Sequence, residues 1–164
     1  MKVRPAIPTD AKAVKAVHYY AYQISYRGYL PDDYLNGLVF DEATITRTAQ
    51  KIRETEYYVA EKNEKVIGFA NLCYPEEKTV EVQTLYVHPN FQKQGAGSAL
   101  LDEICKIKKN AGYRKVVLWT IKDGPSLGFY EKKGFQPSSV PEKNMPLYKP
   151  WKFDVSIIRL EKDL

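Results

Sequence analysis

Gln92-Lys93-Gln94-Gly95-Ala96-Gly97 is a glycine-bearing loop whose neighbours give it the means to hold an anion. Val80 to Val87 precedes it, β-branched and aromatic enough to form a strand. From Ser98 onward, Leu100, Leu101, Ile104 and Ile107 recur on one face, which predicts a helix. A strand that passes through glycines into a helix leaves backbone N–H groups unpaired at the positive end of the helix dipole, and such groups bind phosphate. A Cβ at either glycine would hold a ligand's oxygens away from the backbone. The loop lacks the lysine of the nucleotide loop Gly-x-x-x-x-Gly-Lys-Ser/Thr. Leu100 stands where the dinucleotide fingerprint needs a third small residue. Taken alone, the stretch also fits a plain tight turn between strand and helix.

Two stretches together resemble a known family. Leu85-Tyr86-Val87-His88-Pro89 followed by Gln92-x-x-Gly95-x-Gly97 is similar to the acetyl-coenzyme A loop of the GCN5-related N-acetyltransferases. Gly128-Phe129-Tyr130-Glu131-Lys132-Lys133-Gly134-Phe135 resembles their second signature, Phe-Tyr-x-x-x-Gly-Phe. The interval between them, a helix and then the apolar strand Lys115 to Thr120, fits as well. The likeness runs from about Met1 to Leu164, with its specific part from Glu81 to Phe135. It implies one α/β (α+β) domain over residues 1–164. Its central mixed, mostly antiparallel sheet would have about seven strands, flanked by about four to five helices and splayed between the fourth and fifth strands. It also implies acetyl-coenzyme A as the acetyl donor.

Making an amide from a thioester and an amine needs a seat for the donor's pyrophosphate and a hydrogen bond to the thioester oxygen. It also needs a base for the amine and an acid for the departing thiolate. The loop supplies the seat: the Gln92 side chain and the amides of Gln94, Gly95, Ala96, Gly97 and Ser98, with Lys93 adding charge or remaining solvated. The resemblance implies that the pantetheine arm pairs with Leu85, Tyr86 and Val87 as an extra strand, the Leu85 or Tyr86 amide polarising the thioester carbonyl. One such donor contributes about 3–4 kcal/mol in a dry site. Glu81 is the candidate base, matching a glutamate of many members. By strand alternation it shares a face with Gln83, Leu85 and Val87. It also reads as a polar residue alternating outward, with His88 or a terminal carboxylate as rivals. A base is required because an amine of pKa about 10.4 is neutral in roughly one molecule per 2,500 at pH 7. Tyr130 is the candidate acid, matching a tyrosine near the donor's sulfur; packing under the Gly134 turn is its other reading. Asp123 stands where many members carry an asparagine that bonds the pantetheine.

The first helices of the family wall the acceptor site, and here they carry Tyr19, Tyr20, Tyr22, Tyr26, Tyr29 and Tyr34. Tyr22-x-x-x-Tyr26-Arg27-Gly28-x-Leu30-Pro31 resembles a subgroup that includes polyamine acetyltransferases of the PaiA type. Aromatic faces with Asp32 and Asp33 suit a cationic amine, so Tyr22, Tyr26 and Tyr29 are the expected acceptor contacts, although helix packing accounts for them too. The expected reaction is direct attack by a primary amine in a ternary complex, because neither cysteine falls on a motif position. A polyamine or another small amine is the first acceptor class, and a protein N-terminus or lysine the second. Cofactor binding without catalysis is a third reading, and a nucleic-acid module a fourth.

The remaining composition is that of an ordinary globular chain. At 164 residues, 44% hydrophobic and 27% charged, it buries a core without staples. No run of about 18 apolar residues is present for a membrane span, and the start Met1-Lys2-Val3-Arg4-Pro5 has no secretory pattern. Cys73 and Cys105 make no disulfide framework, and with His18 and His88 they have no metal-ligand spacing. They read as small buried residues in a reducing cytoplasm. The charge of +5 decides between no partners. Lys106 to Lys115 reads as cations closing a helix before Gly112, without a nucleic-acid motif. Homodimerisation is left open.

These residues need a scaffold. Val3 to Ile7 predicts a first strand, and Thr9 or Asp10 caps a helix with Val14, Val17, Ala21 and Ile24 inward. A short helix starts at Pro31, and a third follows Asp41 with Ile45, Ala49 and Ile52 inward. Glu56 to Glu61 and Lys65 to Leu72 form a hairpin through Asn63-Glu64, and Pro75-Glu76-Glu77 turns into the strand Val80 to Val87. After the Leu100 helix and the Val116 strand come a helix at Leu127 to Lys132 and strands Phe135-Gln136 and Phe153 to Leu160. Pro137 to Pro150 is a proline-rich loop.

Overall fold

The computed structural model describes residues 1–145 and 154–164. The elements are β1 (Lys2–Pro5), α1 (Ala11–Ser25), α2 (Asp32–Asn36), α3 (Glu42–Glu54), β2 (Glu56–Lys62), β3 (Lys65–Glu76), β4 (Thr79–Val87), α4 (Ala96–Asn110), β5 (Lys115–Ile121), α5 (Leu127–Lys132), β6 (Gln136–Pro137), β7 (Lys143–Asn144) and β8 (Ser156–Asp163). The eight strands form one sheet in the order β1-β2-β3-β4-β5-β8-β6, with β7 beside β8. Among the described strands, only β4 and β5 pair in parallel. The expected mixed, mostly antiparallel sheet is present.

Local chemistry explains most boundaries. Asn63 and Glu64 both take left-handed φ values, 49° and 61°, which matches the twist of a two-residue hairpin between β2 and β3. Asp41 begins α3 by accepting the Thr44 N–H at 2.8 Å, while its own N–H reaches the Thr44 hydroxyl at 3.0 Å. Three expectations need correction. Asp10 stands at the N-cap of α1, but its side chain makes no capping bond there; its carboxylate accepts the Ile7 N–H at 2.9 Å and pairs with Arg4 at 2.7 Å, closing a 3-10 turn at Pro8–Asp10 instead. Pro75 and Glu76 belong to β3, and the turn is Glu77-Lys78; the pairing skips between Cys73 and Glu76, where a residue without an N–H is tolerated. Ile24 is 59% exposed, because the last turn of α1 overhangs a gap in the sheet. β8 begins at Ser156; the expected start at Phe153, and the end of the proline-rich loop from 146 to 150, lie outside the described residues.

Two apolar layers sandwich the sheet. On one face Leu100, Leu101 and Ile104 of α4 are wholly buried against Leu72, Val80, Val116, Leu118, Phe135 and Leu160. On the other, Val14 and Val17 of α1 and Ile52 of α3 cover Val59 and Phe69. Cys73 and Cys105 are half-buried free thiols rather than fully buried ones.

Two irregularities shape β4. It pairs with β5 only over Thr79–Glu81 against Lys115–Val117, after which the strands part. Its register against β3 also skips, from Leu72↔Val82 to Asn71↔Thr84, leaving Gln83 as an extra residue. Such a bulge bends a strand and inverts its alternation. Val80 and Val82 pack with the α4 layer, and so do Leu85 and Val87, while Tyr86 packs with the α1 layer.

Candidate active site

The parting of β4 and β5 opens a cleft of about 930 Å³. Its walls are the outer edge of β4 from Val82 to Val87, the loop and first turn of α4, the end of α1, and Trp119, Ser126, Phe129 and Tyr130 from across the gap. Beyond Glu81, no strand among the described residues pairs with the β5-facing edge of β4. That edge offers backbone donors and acceptors to an extended ligand, as a sheet edge does.

The loop delivers α4 into the cleft N-terminus first. Gly95 precedes the helix with φ 88°, in the left-handed region. A Cβ there would meet nothing within 4 Å. Glycine is needed at this position for its backbone angle, not for the close approach expected from sequence. The first helical bond runs from the Ala99 N–H to the Gly95 carbonyl at 2.9 Å, so the amides of Ala96, Gly97 and Ser98 have no helical acceptor. At Gly97 a Cβ would lie 3.4 Å from Phe129 and 3.6 Å from Leu85, so any larger side chain enters the cleft.

The Gln92 side chain is not free for phosphate. Its Nε2 donates to the Val87 carbonyl at 3.2 Å and to Ser25 Oγ at 3.3 Å, tying the loop to β4 and to the end of α1. Gln94 is likewise engaged, donating to the Asn90 carbonyl at 3.1 Å and accepting from Lys62 Nζ at 2.9 Å. Lys62, from the far end of β2, is a cation at this loop that no sequence pattern announced. Lys93 is exposed on the cleft wall with φ 58°.

Tyr130 is 8% exposed and lines the cleft. Burial pushes its phenol well above the ordinary range, with the neighbouring Tyr26 phenol adding to the effect, so it keeps its proton through neutral pH. Tyr26 and Tyr29 also line the cleft, whereas Tyr22 does not. Tyr22 stacks within α1's aromatic cluster, 4.5 Å from the His18 ring and 5.4 Å from that of Tyr86, and receives the Tyr86 hydroxyl at 3.3 Å. Burial there, with Lys15 and Lys51 adding to it, pushes His18 down to about 4.

The bulge corrects the placement of Glu81. With alternation inverted at Gln83, Glu81 lies on the face opposite Leu85 and Val87, the face that carries Tyr86 and α1. It is half-buried beside Cys73 of β3 and Val117 of β5, one residue outside the cleft lining. Burial pushes its carboxyl above the usual range, opposed by Arg159 and Lys143. Glu81 can therefore meet a group arriving from the α1 face while a ligand on the unpaired edge fills the cleft. Asp123 is exposed in the turn after β5 and is absent from the lining, which Ser126 enters instead. His88 is absent from the cleft lining; it accepts the Asn90 N–H and packs against Tyr20 and Phe91. Among the described residues no cluster can hold a metal ion, and no helix is long and apolar enough to cross a membrane.

Comparison with known proteins places this geometry. The model of the acetyltransferase (GNAT) family matches residues 19–135. The chain is 27% identical over 164 residues to the uncharacterized N-acetyltransferase YuaI of Bacillus subtilis, covering 98% of this chain and 88% of that protein. Among solved structures, the PaiA N-acetyltransferase of Thermoplasma acidophilum in complex with coenzyme A superposes with a TM-score of 0.79 at 19% identity, covering 99% of this chain and 98% of that one. The ribosomal-protein-alanine N-acetyltransferase of Brucella melitensis does so with a TM-score of 0.73 at 19% identity, over 100% of both chains.

Proposed function

Because the chain belongs to the acetyltransferase (GNAT) family and is an acetyl-coenzyme A-dependent N-acetyltransferase, we propose that it acetylates a primary amine of a small molecule, a polyamine or another small amine, in a ternary complex. The observation that carries this reading is the open cleft itself. It joins an unpaired strand edge, unpaired helix amides and a buried phenol on one side to a carboxylate reachable from the other. The residues fit the donor: a pyrophosphate suits the amides of Ala96, Gly97 and Ser98, and a pantetheine suits the edge of Leu85, Tyr86 and Val87.

When bound, acetyl-coenzyme A supplies a thioester carbonyl open to attack. Glu81 takes one proton from the incoming ammonium group, directly or through water, so that the nitrogen carries a lone pair. The β4 amides hold the carbonyl oxygen as charge develops on it. As the new C–N bond forms and the C–S bond breaks, Tyr130 gives its proton to the sulfur. The surplus proton of the nitrogen then restores the phenol. Neither Cys73 nor Cys105 lines the cleft, in keeping with direct attack.

Single-turnover incubation with acetyl-coenzyme A and a panel of amines, followed by thiol release, tests the reading. Release with small amines is expected. Release only with peptides favours a protein N-terminus or lysine as acceptor, the reading that similarity to the ribosomal-protein-alanine enzyme supports. Tight coenzyme A binding without release favours a non-catalytic regulator.

A further inference from the structure

Charge and hydrogen-bond polarity on the acceptor side separate the small amines from one another. Among the described residues lining the cleft there is no aspartate or glutamate, and its α1 end carries Arg27, while Lys93 and Lys132 line it at the donor loop and on α5. Asp32, near the mouth, is already held by Arg27 at 2.9 Å. Around Glu81 the balance is no more acidic. Arg159 and Lys143 face it, together with Glu76; Glu76 is bound by Arg159 at 2.7 Å, and Lys143 lies 4.0 Å over the ring of Trp119. Glu81 can neutralise one ammonium group. A second cationic nitrogen, such as a polyamine carries, would lose water here without gaining a carboxylate.

The bulge adds a hydrogen-bonded amide pair at the cleft wall. Asn71 is 5% exposed on β3, and its Nδ2 donates to Gln83 Oε1 at 2.8 Å, while the Thr84 hydroxyl donates to Asn71 Oδ1. Both amide oxygens are thus engaged. Gln83, exposed on the cleft wall beside Thr84, keeps its two Nε2 hydrogens for a ligand. An amide held by its oxygen presents only donors, and donors among cations select an oxygen.

We propose that Gln83, oriented by Asn71, is a specificity-determining residue, and that the acceptor is an amine bearing a carbonyl or carboxylate oxygen close to its nitrogen. This chemistry is shared by α-amino acids and by peptide N-termini. It rests on the acetyl-transfer reading above and narrows it away from polyamines.

The test measures kcat/KM by thiol release for four probe types: free amino acids, amino-acid amides with short peptides, alkylamines of matching size without the oxygen, and spermidine. Oxygen-bearing amines are expected to exceed matched alkylamines by about ten-fold or more, the scale of one well-placed hydrogen bond. Gln83→Met keeps the length and removes the donors, and should collapse that ratio while the coenzyme A affinity read by calorimetry stays constant. Asn71→Asp offers Gln83 only an acceptor, so the glutamine turns its oxygen outward, and the ratio should fall again in a chain shown to be folded by circular dichroism. A preference for free amino acids identifies a small-molecule acceptor, and one for peptides identifies a polypeptide N-terminus; both uphold the proposal. Spermidine preferred over the amides, or a ratio unmoved in Gln83→Met, overturns it and leaves acetyl transfer standing. No release with any probe overturns acetyl transfer as well.

Discussion

Two polar regions of this molecule use similar side chains to opposite ends. Where β2, β3 and α4 meet, Lys108 is only 6% exposed and gives its ammonium protons to both oxygens of Glu56, at 2.7 and 2.9 Å, and to the Tyr74 hydroxyl at 2.7 Å. Tyr58 and Tyr74 donate to the same carboxylate. Burial pushes the Glu56 carboxyl up, but Lys108 and the two phenols pull it down further, so its net displacement is below the ordinary value. In the cleft, by contrast, Tyr130 is raised by burial with no cation to offset it, Glu81 is raised despite two nearby cations, and the amides opening α4 have no helical acceptor. The first region has its hydrogen-bonding capacity satisfied internally and holds the fold. The second leaves that capacity open for a ligand, so mutations in the two regions are expected to act on different properties.

Four substitutions sharpen or break that contrast. The largest effect is expected from Gly97→Glu, which pushes a carboxylate into the cleft beside Phe129 and Leu85. Coenzyme A affinity should fall about 100-fold or more, since anion is opposed where the helix dipole favours it, while the thermal transition stays cooperative. Unchanged calorimetric affinity would remove the loop from the site. Glu56→Gln should do the reverse. It leaves Lys108 buried without a counter-charge and costs about 3 kcal/mol of stability at neutral pH, with turnover of the folded fraction close to that of the parent. Because the folded pKa of Glu56 is depressed, its stabilising contribution is present above its unfolded value of 4.5 and is lost as pH falls through the folded value. Denaturant titrations of parent and variant should therefore converge in acid. Convergence at neutral pH instead would make the cluster energetically idle.

Tyr130→Phe removes the phenol and keeps the ring contacts with Phe129 and Phe135, at 5.1 and 5.9 Å. Turnover should drop by about 10²-fold, with coenzyme A affinity changed far less; parental turnover would assign the acid elsewhere. The smallest effect is a displacement along the pH axis. Glu81 must be ionised to accept a proton, and its folded pKa is raised, so kcat/KM falls as pH drops through that raised value. Lys143→Gln removes a cation that lowers it, and the acid limb should move to higher pH. A limb that stays in place would show that another group is the base.

Much of the framework around the candidate cleft was legible in local sequence. The Leu100 face, the glycines before it and the Phe129-Tyr130 signature all lie in single elements, and the described helices and strands stand close to the expected positions. The errors have a common origin in partners distant along the chain. Alternation along β4 put Glu81 with Leu85, but the bulge that separates them exists only in register with β3. Gln92 has the right type for a phosphate ligand, yet it is bound to Ser25, 67 residues away. Tyr22 and Tyr26 are alike in sequence, and only the packing of α1 over Tyr86 decides which of them reaches the cleft.

The amino-acid order by itself determined where helix, turn and strand occur and where helix amides are left unpaired, because periodicity and left-handed glycines act within a few residues of backbone. The tertiary structure alone decided which side of β4 carries the carboxylate, that Asn71 holds the glutamine at the bulge, and that among the described residues the cleft lining contains no acid. Those properties depend on strand register and on long-range hydrogen bonds, which side-chain identity does not encode one residue at a time.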